Sequence, residues 1–105
     1  MAWREDDKRI YVLYSDKTWQ VFDDTWNSGQ ADDSCPNTSV PSGLVKPKRG
    51  FGKVWCEQSF VRAKIGAATG SEVGFAAPVQ RFQRGLGMGS AQGTPMVLYE
   101  DGKWE

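Results

Sequence analysis

YVLYSDKTWQ (residues 11–20) and MVLYEDGKWE (residues 96–105) are two versions of one ten-residue phrase. With Met96 set against Tyr11, residues Val12, Leu13, Tyr14, Asp16 and Trp19 meet Val97, Leu98, Tyr99, Asp101 and Trp104: five identities in ten at an offset of 85 (96 − 11). Each copy has the pattern of a β-hairpin: an apolar, β-prone run, then Asp-Lys or Asp-Gly, then a return led by Trp. Asp-Gly is a strong signal for a two-residue type I′ turn, which needs positive φ at both central residues. Turns at 16–17 and 101–102 predict Tyr14 opposite Trp19 and Tyr99 opposite Trp104, aromatic cross-strand pairs worth roughly 0.2–1 kcal/mol each. Alternation then puts Ile10, Val12, Tyr14, Trp19 and Val21 on one face and Tyr11, Leu13, Gln20 and Phe22 on the other. Neither face is purely polar, so this hairpin is expected to be at least partly covered on both sides.

Away from the repeat, residues 23–50 carry Pro36, Pro41, Pro47, Gly29, Gly43 and Gly50 among Ser, Asn and Asp, the composition of a long irregular connection. Residues 51–66 read as helical. Phe51, Val54, Trp55, Val61 and Ile65 share one stripe, Phe60 lies opposite it, and Gly66 suits the position after the last turn. One helix, or two short ones with a break near 58–59 and Ser59 as the second N-cap, fits the pattern equally. Residues 67–77 are small and turn-rich. Val79–Phe82 reads as a strand, opening the strand and hairpin region 79–105. The run Gly85-Leu86-Gly87-Met88-Gly89-Ser90 leads to Gly93, Thr94 and Pro95 and then to a strand. A phosphate cradle needs a helix N-terminus at that point, so the run reads as a glycine-weakened strand. The expected fold is a small single α+β domain, residues 1–105: antiparallel hairpins packed with one or two short helices. Residues 1–22 form its first hairpin.

Composition narrows function. Thirteen basic residues balance thirteen acidic ones, which leaves no electrostatic footprint for nucleic acid or an anionic membrane. No apolar run approaches the ~20 residues of a membrane span. Histidine is absent, which removes the commonest general base and metal ligand. The acidic clusters Glu5-Asp6-Asp7, Asp23-Asp24 and Asp32-Asp33 match no calcium-loop pattern and read as solvated turns. No catalytic group, cofactor or metal site is expected, and the segment Asn37-Thr38-Ser39 is a short glycosylation-type match. The start, Met1-Ala2-Trp3-Arg4, has no apolar signal-peptide core and reads as an excised start.

Val79-Gln80-Arg81-Phe82-Gln83-Arg84-Gly85 resembles the VQRF-x-x-G strand of LGFP-like repeat modules. Ile65-Gly66, Ser71-Glu72 and Tyr99-x-Asp101-Gly102-x-Trp104 extend the resemblance to repeat modules of secreted or cell-surface multidomain bacterial proteins. It covers about residues 50–105, with 3–26 as the tail of a preceding unit, and the first hairpin is expected to complete the sheet or core of the second. The resemblance implies a noncatalytic, extracytoplasmic accessory module that contacts cell-wall or other polysaccharide, with no membrane insertion. In that setting Cys35 and Cys56 are expected to form a disulfide that pins the long connection. Five tryptophans and three tyrosines exceed what a core of this size requires. Trp3 and Trp26 lie outside the paired hairpin positions, beside polar residues, and are the expected sugar-stacking rings. Asp24, Asn27 and Gln30 are the expected polar partners of Trp26. The alternative is a structural spacer or protein-interaction module without a small ligand.

Overall fold

A computed structural model describes residues 1–72, 74, 79–89 and 95–105. The fold is α+β, with two three-stranded antiparallel sheets and two short helices. In chain order the elements are β1 Ala2–Arg4, β2 Arg9–Leu13, β3 Trp19–Asp23, α1 Arg49–Glu57, α2 Ser59–Ile65, β4 Val79–Phe82, β5 Gly85–Met88 and β6 Met96–Tyr99. The sheets have the orders β1-β2-β3 and β4-β5-β6. The chain divides into two compact units, Met1–Val12 with Val21–Glu72, and Leu13–Gln20 with Val73–Glu105.

In the first unit, β2 supplies Ile10, Tyr11 and Val12 as three consecutive buried residues. Successive strand residues point to opposite sides, so the strand is covered on both faces, as its mixed alternation predicts. Val54, Trp55 and Val61 complete this core from the helices. The helical stretch is two helices, broken at Gln58, whose φ of −100° and ψ of 86° leave the helical region. The break is tolerated because Arg62 Nη1 donates to the carbonyls of Trp55 and Cys56 at 3.2 and 2.8 Å, serving groups that the end of α1 leaves open. Gln58, not Ser59, is the cap of α2, and neither helix has a side-chain cap. Phe60 is exposed, on the side opposite the apolar stripe.

The long connection contains no regular element before Arg49 and is held by short devices. Cys35 and Cys56 are joined in a disulfide with Cα atoms 5.7 Å apart, as expected. Lys46 Nζ donates to Asp33 Oδ2 at 2.9 Å and to the Cys35 carbonyl. Val45 and Ala68 form an antiparallel bridge. Gly52 sits where a Cβ would lie 2.6 Å from the Pro47 carbonyl oxygen, so only glycine lets α1 and this backbone approach so closely.

The second unit buries Tyr14, Leu86, Met88 and Leu98. Glycines alternate with buried residues along β5, where Leu86 faces Arg81 in β4 and Leu98 in β6. The expectations for residues 73, 75–78 and 90–94, including Ser90, Gly93 and Thr94, lie outside the described residues. The first hairpin does not extend the second sheet; its tip, Leu13–Gln20, clusters with the C-terminal residues instead.

The turns differ from the expected two-residue form. Tyr14 N–H donates to the Thr18 carbonyl at 2.9 Å and Lys17 N–H to the Tyr14 carbonyl at 3.0 Å, which closes a three-residue loop. Tyr99 and Lys103 do the same at 2.8 Å, with Gly102 N–H on the Tyr99 carbonyl at 3.1 Å. Tyr14 therefore meets Thr18, and Leu98 bridges Trp104. The cause is the aspartate. Asp16 Oδ1 accepts the Thr18 N–H at 3.1 Å and Asp101 Oδ1 accepts the Lys103 N–H at 3.0 Å, each fixing a local turn. The positive φ falls on the third loop residue, 69° at Lys17 and 86° at Gly102, as in a type I turn followed by a left-handed residue.

Two outcomes test this account of the first unit. Replacing both Cys35 and Cys56 by Ala is expected to lower unfolding free energy by about 3 kcal/mol, the chain-entropy value for a loop of this length. Gly52→Ala is expected to cost about 1–3 kcal/mol by overpacking, whereas Gly70→Ala, with open space around it, is expected to be neutral. Denaturant melts of the three variants against the parent chain check both.

Candidate functional site

Four of the five tryptophans are tied into the fold through their one polar atom. The indole N–H of Trp19 donates to the Tyr99 carbonyl at 2.7 Å, that of Trp26 to Ala31 at 3.0 Å, that of Trp55 to Gly66 at 2.8 Å and that of Trp104 to Tyr14 at 2.9 Å. A buried or half-buried indole needs such an acceptor, so these rings are part of the architecture. The aromatic richness of the sequence is thereby largely accounted for by folding.

Asp24, Trp26, Asn27 and Gln30 do come together, in one turn. Asp24 Oδ1 accepts the Trp26 backbone N–H at 3.1 Å, Gln30 Oε1 accepts the Asn27 N–H at 3.0 Å, and Asn27 Oδ1 accepts the Gly29 N–H at 3.0 Å. These oxygens face their own backbone, and Trp26 is half-buried. The group expected to orient a sugar beside Trp26 thus serves first to build the turn. A sequence-level signal existed: Asp, Asn and Gln spaced two and three residues from the N–H groups they serve are common turn-formers.

Trp3 lies elsewhere, on β1, an edge strand, paired with Ile10. It is 42% exposed, and Lys8 Nζ stands 5.1 Å from its ring centroid. Among the described residues it is the one tryptophan whose indole N–H is not committed to a backbone carbonyl.

A shallow groove of about 190 Å³ is lined by Phe22, Asp23 and Thr25, by Lys53 and Glu57 of α1 and by Gln58 at the break after it. Sequence reasoning did not single out Lys53, Glu57 or Gln58, because their spacing reads as a solvated face. The groove is smaller than the roughly 300–1,000 Å³ of ordinary ligand pockets.

Two charged clusters are structural in form. Arg4, 7% exposed, donates through Nη1 to Asp7 at 3.1 Å and to the Tyr11 hydroxyl at 3.2 Å, and through Nη2 to Asp6 at 2.5 Å. Tyr11 in turn donates to Asp7 at 2.6 Å. Among the described residues, one group of three metal-type side chains lies close together: Asp33, Cys35 and Cys56. Its two sulfurs are bonded to each other, and the hydrogen bond from Lys46 holds the Asp33 carboxyl below the usual carboxylate range.

The chain is thus a small, disulfide-stapled α+β protein with its tryptophans woven into the backbone. No family model, curated protein or solved structure matches it.

Burial, followed by the hydrogen bond to Asp7, raises the Tyr11 hydroxyl above its ordinary value near 10, and burial does the same for Tyr14. A folded-state pKa above the unfolded one means that the fold prefers the protonated phenol. That contribution to stability is complete below about pH 10 and declines as pH rises towards the folded-state values. The hydrogen bond to Glu105 raises Tyr99 as well, so absorbance at the phenolate band during alkaline titration is expected to show all three tyrosines lagging the free amino acid, with the lag abolished in denaturant.

Proposed function

We propose that this chain is a noncatalytic, extracytoplasmic accessory module that binds polysaccharide weakly through Trp3. The observation that carries the reading is the contrast among the tryptophans: Trp3 alone combines a solvent-exposed ring with an uncommitted indole N–H among the described residues. An exposed indole face on a β surface suits the apolar C–H face of a sugar ring. Lys8, at the ring, supplies a donor for a hydroxyl or carboxylate. The disulfide supports an oxidising location, no described helix is long and apolar enough to cross a membrane, and the likeness to LGFP-like repeats of cell-surface proteins supports the setting. One ring of this kind contributes roughly 0.5–1.5 kcal/mol beyond area burial, so a single module binds in the high micromolar to millimolar range and relies on repetition.

A second reading, a spacer or protein-interaction module with no small ligand, is favoured by one observation: four indoles already serve the fold. Titration with peptidoglycan fragments and soluble glucans separates the two. The expected result is a saturable change in tryptophan fluorescence that Trp3→Ala removes and Trp26→Phe retains. No response across the panel leaves the spacer reading.

A further inference from the structure

The two copies of the repeated phrase touch each other, and they do so reciprocally. Trp19 sends its indole N–H to the Tyr99 carbonyl, and Trp104 sends its own to the Tyr14 carbonyl. Trp19 N–H donates to the Gly102 carbonyl at 2.8 Å, and Trp104 N–H to the Lys17 carbonyl at 2.8 Å. Under the sequence offset of 85, each bond maps onto its partner: 19 becomes 104, 14 becomes 99 and 17 becomes 102. Thr18 and Lys103, themselves equivalent under that offset, form an antiparallel bridge between the tips. The local pseudo-two-fold axis therefore passes between them. Such a contact is isologous: the same patch on both partners, each donating what the other accepts.

We infer that the tip of the Tyr-x-Asp-x-x-Trp hairpin is a homotypic docking element, whose partner is another hairpin of the same sequence type. Four hydrogen bonds define the recognition. Two are between backbones and read the bulged three-residue loop. Two come from indoles and read Trp three residues after Asp. The aspartate acts indirectly, by fixing the loop whose third residue presents its carbonyl to the partner. In this chain the partner is in cis; a hairpin of the same kind on another segment presents the same groups.

The test uses the 105-residue chain with its second tip disabled by Gly102→Val and Trp104→Ala. Valine is strained at a φ of 86°, and the second change removes one indole donor. Two dye-labelled peptides, Tyr11–Gln20 and Met96–Glu105, each cyclised at the open end, are titrated against it by fluorescence anisotropy. Homotypic docking gives saturable binding of both, with affinities within about fivefold of each other. Replacing the peptide's Trp by Ala abolishes binding, and the parent chain, whose tip is filled, binds neither peptide measurably. Binding of Met96–Glu105 alone, binding that survives the Trp replacement, or no binding to a cooperatively melting variant overturns the inference. Should the variant not fold, a second chain settles the matter, in which residues 96–105 are replaced by the sequence of residues 11–20. A cooperative melt within about 5 °C of the parent, a shift of the size of a single modest substitution, supports two interchangeable tips. Loss of cooperative melting overturns it.

Discussion

A tryptophan can leave water only where its one N–H finds an acceptor, and this chain meets that condition four times with backbone carbonyls. Each solution closes a different piece of structure. Trp55, buried in α1, donates to Gly66 and so fixes the exit of α2 against the helix that precedes it. Trp26 donates five residues ahead, to Ala31, and closes the turn that leads into the long connection. Trp19 and Trp104 close on each other's hairpins. An indole buries a large apolar area while demanding one acceptor at a defined place, so it supplies adhesion and register together. That combination suits a chain of 105 residues, in which a single apolar core is modest.

The connection between β3 and α1 follows the same economy with smaller parts. It has no regular ladder to satisfy its backbone, so side chains do it. Asp33 accepts the Cys35 N–H at 3.0 Å, Lys46 binds both Asp33 and the Cys35 carbonyl, and Arg49 N–H reaches the Asp32 carbonyl at 2.8 Å. The disulfide then holds the segment to α1 at one covalent point. Near the start of the chain, Arg4 makes the opposite compromise. It is a buried cation, which costs desolvation, and it is retained with two carboxylates and a phenol arranged about it. Its two terminal nitrogens are satisfied, while Nε has no partner among the described residues. The cluster ties β1 to β2, two strands of which the first is only three residues long.

Much of this was legible in the sequence. Alternation in Ile10–Leu13 gave a strand covered on both faces. The apolar stripe of Val54, Trp55 and Val61 placed the helical segment, and two cysteines, one of them in an otherwise unanchored stretch, together with the resemblance to secreted modules pointed to the disulfide. The turn register was not legible. The Asp-Lys and Asp-Gly pairs suit a two-residue turn on local propensity, and only the aspartate's bond to the N–H two residues on selects the three-residue loop. The expected sugar site failed to separate from the fold for a related reason. Trp26, Asp24, Asn27 and Gln30 carry the same residue types whether they face a ligand or their own backbone, and composition does not say which way a side-chain oxygen points. The reciprocal pairing of the tips needed coordinates, because a repeat in sequence states likeness and not contact.

The two tips are alike in backbone and unlike at one side chain, and the difference follows from the same contact. Position three of the loop requires positive φ, which glycine adopts freely and lysine adopts at a cost. Gly102 answers that requirement directly. Lys17 accepts the strain at 69°, and its Nζ stands 4.0 Å from the centroid of the Trp104 ring, over the indole whose backbone N–H its own carbonyl receives. A cation over an indole face is worth roughly 0.5–1 kcal/mol at an exposed site, against roughly 1–2 kcal/mol for a non-glycine residue in the left-handed region. Lysine in the first tip thus offsets across the contact part of what it loses in its own loop. The second tip, with glycine at this position, has no loss to offset and no side chain there to make such a contact. The departure from symmetry is therefore confined to side chains, and the pairing of the two backbones does not depend on it.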